Sequence, residues 1–216
     1  MSNPWNEIRL EDYENHMKMD SVRQLQTMNS MMKDQFDAYP VSTAAVLGVA
    51  GGNGLEHVDP DKYKTIYGID INAEYLKAAA ERYPRLEGIL ECRQVDLAEE
   101  TKALPHTELV IANLLIEYIG YEAFRKVVRQ MDPKYVSCGI QINTDEKNWV
   151  SDSPYLHVFD DLDEIHHQMD ERTLTNIMEE TGYEKILMKK EDLPNGKALV
   201  RVDYVKKIMG HSVSHP

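Results

Sequence analysis

The chain has 216 residues, enough for one domain with a substantial core or one domain plus a small accessory piece. Its formal net charge of -13 argues against wrapping nucleic acid or lying on an anionic membrane, since both need clustered Lys and Arg. No run of about 18 apolar residues could cross a bilayer, and the opening "MSNPWNEIRLEDYENH" has neither the basic flank nor the apolar core of a signal peptide. Cys92 and Cys138 lie in strand-like apolar runs, as buried cysteines of a reducing compartment would, so a soluble cytoplasmic protein is expected.

In chain order, "LEDYENHM" concentrates acid early, as the start of a helix prefers. From Ser21 the apolar residues Val22, Leu25, Met28, Met32 and Phe36 recur at three- and four-residue steps. They predict an amphipathic helix capped by Asp20 or Ser21 and ended before Pro40. Residues 1–40 therefore read as an N-terminal helical lid or extension, residues 41–206 as the main domain and residues 207–216 as a frayed tail.

After Pro40 strand-like and helix-like stretches alternate. "TAAVLGVA" reads as a buried strand, "GLEHV" as a helix start, "YKTIYGID" as a strand, and "NAEYLKAAAERYP" as a helix capped by Asn72 and stopped at Pro84. "GILECRQVDL" and "ELVIANLL" are further strands, "YEAFRKVVRQM" a helix following Gly120, and "YVSCGIQIN" a strand apolar enough to be covered on both faces. Residues 144–169 form a long irregular insertion, of the kind that is functional or mobile. Asp170 then caps a helix with Leu174, Ile177 and Met178 on its apolar face, closed by Gly182. "EKILMKKEDL" and "ALVRVDYVKK", joined through Asn195-Gly196, read as a hairpin. The expected fold is α/β: a Rossmann-like, doubly wound, mostly parallel seven-stranded sheet with an antiparallel last strand.

The stretch "VLGVAGGNGLEHV" carries the functional signal. A glycine turn after the first strand brings backbone close to a ligand at the carboxyl edge of the sheet. Asp70, ending the next strand, can accept two hydrogen bonds from a vicinal diol such as an adenosine ribose. A dinucleotide fingerprint needs Gly or Ala three residues after Gly54, where His57 stands, and no G-K-[ST] follows for a P-loop. An NAD(P)-dependent oxidoreductase or epimerase is thus an alternative rather than the leading reading.

These residues resemble those of class I S-adenosylmethionine-dependent methyltransferases in their small-molecule branch, over roughly residues 41–206. That family's first-strand motif runs hydrophobic-x-acid-x-G-x-G-x-G. "VLGVAGGNG" matches it with Gly52 and Gly54 in register but has Gly48 at the acid position and Ala50 at the first glycine. The resemblance implies S-adenosylmethionine as cofactor, bound by Gly48, Ala50, Gly51 and Gly52 of the turn. It further implies Asp70 at the ribose, Ile71 on the adenine, Asp96 and Leu97 at the adenine edge, and Asn113 beside the methyl group. The family acid contacts the methionine ammonium, so glycine at position 48 leaves a non-catalytic S-adenosylmethionine-binding protein as a further alternative.

The implied reaction is methyl transfer to a small-molecule nucleophile by in-line displacement, with no nucleic-acid or membrane partner and a homodimer left open. No catalytic residue is assigned. Glu117 and Tyr118, after the fourth strand, are candidates for substrate contact. Tyr13, His16 and Met17 could close over the cofactor, and Trp149, Tyr155, His157 and Phe159 of the insertion could line the substrate pocket. His166 and His167 point about 100° apart on a helix and lack a spaced third ligand, so no metal is expected.

Overall fold

The computed structural model describes residues 3–99, 104–143 and 149–208. Its strands are β1 (Thr43–Leu47), β2 (Thr65–Asp70), β3 (Leu90–Gln94), β4 (Leu109–Asn113), β5 (Tyr135–Ile142), β6 (Tyr183–Asp192) and β7 (Ala198–Lys206). They form one sheet in the order β3-β2-β1-β4-β5-β7-β6, with β1 to β5 parallel and β7 antiparallel to both of its neighbours. This is the architecture expected from the sequence. The order reverses at β1, so its carboxyl end, between those of β2 and β4, is the topological crevice of the sheet.

Burial explains the strand sequences. Ala44 to Leu47 and Leu109 to Ala112 are buried on both faces, as central parallel strands are. At the edges the pattern loosens. Cys92, on edge strand β3, is exposed, with its Sγ donating to Leu76 O, whereas Cys138 on β5 is fully buried. The hairpin closes through Leu193 N donating to Lys197 O, with Gly196 at positive φ, as the Asn-Gly pair predicts.

The helices are α1 (Leu10–Lys18), α2 (Gln24–Asp37), α3 (Ala73–Arg82), α4 (Ile116–Met131) and α5 (Glu171–Glu180). Two predicted caps form. Asn72 accepts from Glu74 N and Tyr75 N, and Asp170 accepts from Thr173 N. One face of the sheet packs Val46, Leu109 and Ile111 against Met32 and Phe36 of α2; the other packs Val110 and Val136 against Phe124 of α4 and Met178 of α5.

Three elements depart from expectation. Helix α2 starts at Gln24, not at Asp20 or Ser21, because Val22 and Arg23 both turn back to donate to Met19 O, and Arg23 sits in the left-handed region with φ 55°. The helix expected from Gly54 is only a 3-10 turn over Leu55–His57. Pro60 disfavours helical backbone just before it, leaving too little chain for an α-helix, and α2 occupies the space instead: a Cβ on Gly54 would lie 2.7 Å from Met32 Cβ. Helix α4 begins at Ile116 and is broken at Gly120, with φ 74° and ψ 164°, so Glu117 and Tyr118 occupy a helical turn ahead of the predicted start. Of the insertion, residues 144–148 lie outside the described residues; the rest contains a 3-10 run, Leu156–Glu164, that packs Phe159 and Leu162 against Ile8 and Trp5. Of the expected tail only 207 and 208 are described. Among the described residues no helix is long and apolar enough to cross a membrane.

Candidate functional site

The chain leaves β1 through a tight turn in which Gly48, Ala50, Gly52 and Gly54 all have positive φ. Ala50, at φ 47°, is a non-glycine in that region and is held there by its own backbone: Ala50 N donates to Asp70 Oδ2 at 2.9 Å. Asp70 Oδ1 accepts from Asn72 N at 2.9 Å, so one carboxylate ties the glycine turn to the cap of α3. Burial raises the Asp70 carboxyl above its ordinary value, opposed by these backbone N–H groups. A carboxylate has about four acceptor directions, so Asp70 can still take a further donor.

The turn and the strand ends open onto a cleft of about 630 Å³. Gly48, Ala50, Asp70, Ile71, Asp96, Leu97 and Asn113, seven of the nine residues expected at a cofactor, line it together. Gly51 and Gly52 do not. Gly51 lines a smaller neighbouring cavity and packs near Glu14 and Leu10. Gly52 serves packing, since a Cβ there would come within 2.9 Å of Leu55 and Tyr83 and its φ is +83°. The other walls are apolar, including Val95, Leu115 and Ile119. Asp96 Oδ1 accepts from Ala98 N at 3.0 Å, which leaves its second oxygen as an acceptor at the rim.

Asn113 is not free to act alone. Its carboxamide pairs head to tail with Gln35 of α2, donating at 2.8 Å and accepting at 3.0 Å. It lies directly over Gly139 of β5, where a Cβ would meet Asn113 Oδ1 at 2.6 Å. Gln35 also donates to Ser137 Oγ, which donates to Asp203, and Asp203 further takes Tyr39 and Arg201. A buried polar chain thus runs from the sheet's far strands to the cleft.

A second cavity of about 520 Å³ lies beside the first and shares Trp5, Tyr13, Leu114 and Tyr118 with it. Glu117, His16, Met17, Trp149 and Phe159 line this inner pocket, so both substrate-contact candidates and most of the predicted lid and insertion residues meet there. Two do not: His157 is exposed and pairs with Asp160, and Tyr155 packs in the aromatic cluster beneath the insertion without lining the pocket. His166 lines it and stacks on Trp149, ring centroids 3.9 Å apart. Among the described residues no group of three or more His, Cys, Asp or Glu is placed to hold a metal.

The pocket is roofed by the N-terminal segment. Asn72 Nδ2 donates to Trp5 O at 2.9 Å, Tyr75 OH to Ile8 O at 2.8 Å, His16 Nδ1 meets Ser153 Oγ at 2.8 Å, and Gln24 Nε2 donates to Gln141 Oε1. Trp5, Gln24 and Gln141 escaped the sequence reading. Gln141 had a signal, a polar residue inside the otherwise apolar end of β5; Trp5 had none beyond its rarity.

The electrostatics are simple. Glu117 is 4% exposed; its Oε1 accepts from Gln141 N at 2.8 Å while its Oε2 has no partner. Burial pushes its carboxyl up to about 7. Burial, with help from Lys197, holds His16 down to about 4, and burial first, then His167 and Lys197, does the same for His166, so both are neutral above pH 5. Burial raises Tyr13 and Tyr118, which stay protonated.

The sequence matches no family model and no curated relative. Solved structures do match in fold. Magnesium protoporphyrin IX methyltransferase from Synechocystis PCC 6803 with bound SAH gives a TM-score of 0.59 at 11% identity, covering 86% of this chain and 83% of that one. The N-methyltransferase NodS from Bradyrhizobium japonicum WM9 gives 0.63 at 15%, covering 88% and 100%. The [4+2]-cyclase SpnF gives 0.62 at 10%, covering 87% and 83%. The chain therefore has the Rossmann-like fold of these methyltransferases, on which a cyclase is also built.

Proposed function

We propose that the chain is an S-adenosylmethionine-dependent methyltransferase that transfers a methyl group to a small-molecule nucleophile by in-line displacement. The observation that carries this reading is the pair of adjoining cavities at the switch point of the sheet, one lined by the motif residues and the other by the roof and the insertion.

The donor set suits the cofactor. Asp70 would accept from the ribose hydroxyls, Ile71 and Leu97 would flank the adenine, Asp96 would take its amino edge, and the backbone of Gly48 to Ala50 would approach the methionine end. S-adenosylmethionine supplies, when bound, a methyl group already electrophilic on its sulfonium. What remains for the chain is to orient an acceptor and exclude water. The aromatic walls of the inner pocket and the N-terminal roof suit both tasks, and orientation alone is worth several powers of ten in rate. A dinucleotide fits less well: without an α-helix after the glycine turn no helix N-terminus meets a pyrophosphate. The acidic chain favours a small molecule over a nucleic acid.

Fold alone does not choose a reaction, as the cyclase neighbour illustrates. Calorimetry with S-adenosylhomocysteine and with NAD tests the cofactor; binding of NAD only would overturn the reading. A screen with methyl-labelled cofactor across amines, phenols, thiols and carboxylic acids tests the reaction. Tight cofactor binding without transfer to any of these classes would favour a non-catalytic binding protein.

A further inference from the structure

The inner pocket holds one unexplained group. Glu117 Oε2 is buried and unpartnered, although Oε1 of the same carboxylate is satisfied by Gln141 N. A buried carboxylate oxygen without a donor is costly unless something outside the chain completes it. Around it stand the rings of Trp5, Tyr13, Tyr118 and Trp149. Trp5 meets Tyr13 and Tyr118 edge to face at 5.6 and 4.9 Å, Tyr118 meets Trp149 at 6.2 Å, and Trp149 stacks on His166, so the rings form one connected aromatic lining of the cavity that holds Glu117. Aromatic faces around a buried carboxylate are the recognition chemistry of an organic cation.

We propose that this pocket takes a compact organic ammonium ion, its positive head set against Glu117 among the rings of Trp5, Tyr13, Tyr118 and Trp149. That the ion is also the methyl acceptor rests on the methyltransferase reading. The charge balance agrees. Of the titratable groups facing Glu117, Tyr13 and His16 come from α1, Tyr118 and Tyr121 from its own helix, Cys138 from β5 and His166 from the insertion. All six are neutral between pH 6 and 8, the tyrosines and Cys138 raised by burial and the histidines lowered to about 4. Lys197, in the hairpin turn, directs its Nζ at Trp149 O and Ser151 Oγ and acts on the two histidines. Glu117 is thus the one pocket-lining group that ionises near neutrality. It faces this cavity and is absent from the walls of the cofactor cleft.

The test is calorimetry on the full chain, first with S-adenosylhomocysteine alone. With it saturating, ethanolamine, 2-phenylethylamine and tetramethylammonium are then each compared with an uncharged counterpart: ethylene glycol, 2-phenylethanol and tert-butanol. At least one cation should bind tenfold or more tighter than its counterpart at pH 8 and lose tenfold or more in Glu117→Gln. In the wild type its affinity should fall about tenfold from pH 8 to pH 6 as the carboxyl, at about 7, takes up its proton. That pH series needs no variant and decides the matter if Glu117→Gln fails to fold. Cations binding no better than their counterparts, or equally well to the variant, would overturn the inference while leaving the methyltransferase reading intact if S-adenosylhomocysteine binds. The inference also fails if Glu117→Gln weakens S-adenosylhomocysteine and spares the cations, because the carboxylate would then serve the cofactor. Cation preference without any S-adenosylhomocysteine binding would instead remove the methyl-transfer reading and keep the pocket assignment.

Discussion

Replacing Glu117 by Gln should make the protein more stable, and by an amount that grows with pH. Burial lifts this carboxyl from an ordinary 4.5 to about 7. In the unfolded chain it loses its proton near 4.5, in the folded chain only near 7, so between those values the native state binds the extra proton. Stability contributed by the group is therefore intact below 4.5, declines as pH rises through the window and levels off above 7. At about 1.4 kcal/mol per pH unit the cost of keeping Glu117 is about 1 kcal/mol at pH 5 and about 3 kcal/mol at pH 8. With 4% exposure the residue needs no discount for solvent screening. Gln keeps the acceptor for Gln141 N and carries no charge, so it should recover most of this difference. For a chain of this size that means a Tm roughly 6–12 °C higher at pH 8 and only a few degrees higher at pH 5. Scanning calorimetry on both proteins at both pH values measures it, and every other titrating group cancels in the comparison. A variant less stable than the wild type, or equally stabilised at the two pH values, would refute the reasoning.

Four further substitutions probe the frame. Asp70→Ala should cost about 1.5–3 kcal/mol of S-adenosylhomocysteine affinity by calorimetry, because a carboxylate offered to a diol and the anchors of Ala50 and Asn72 disappear together; unaltered affinity would put the ribose elsewhere. Gly139→Ala forces a Cβ to within 2.6 Å of Asn113 Oδ1, and urea unfolding should report a loss of about 1–3 kcal/mol as Asn113 leaves Gln35; a neutral result would mean that the pairing is not fixed. Asp203→Ala strands Arg201, the two side chains being 0% and 4% exposed, and should cost about 3–5 kcal/mol in the same assay. Glu11→Ala, breaking the exposed Arg9 pair, should leave the transition in place; equal effects of these two would contradict the burial argument.

What the sequence disclosed follows from the range of each interaction. Asn72 and Asp170 cap their helices within three residues, and Asn195-Gly196 bends the hairpin locally, so these features could be read directly. The parallel strands were legible because double-sided burial leaves an unbroken apolar run. The failures are nonlocal. Whether a helix follows Gly54 depends on Pro60 and on α2, which arrives from the preface to fill the same space. That Asn113 would be occupied by Gln35, 78 residues away, leaves no mark on either local stretch. Trp5 reaches both cavities only because its carbonyl is held by Asn72, 67 residues on. Within the insertion, Trp149 and Phe159 line the pocket but Tyr155 and His157 do not, a distinction that aromatic content alone cannot draw.

The placement of charge ties these findings together. In the family this chain resembles, an acid ends the first strand; here Gly48 stands there, and a Cβ at that position would lie 3.2 Å from Leu115 Cδ1. Carboxylates remain in the cleft at Asp70 and Asp96, both suited to the adenosine half, while the inner pocket has Glu117 alone. Behind the turn, Glu14 lines a further cavity together with Gly48 and Asn113 and is paired with Arg82, so the acids around the crevice are spread over three places rather than gathered at the end of the first strand. Glu117 Oε2, buried and without a partner, attracts a cation more strongly the better the roof excludes water. The instability it brings at pH 8 and the affinity it should lend to a cation are two readings of one desolvated carboxylate, so the pH at which the thermal difference levels off must coincide with the midpoint of the cation's affinity.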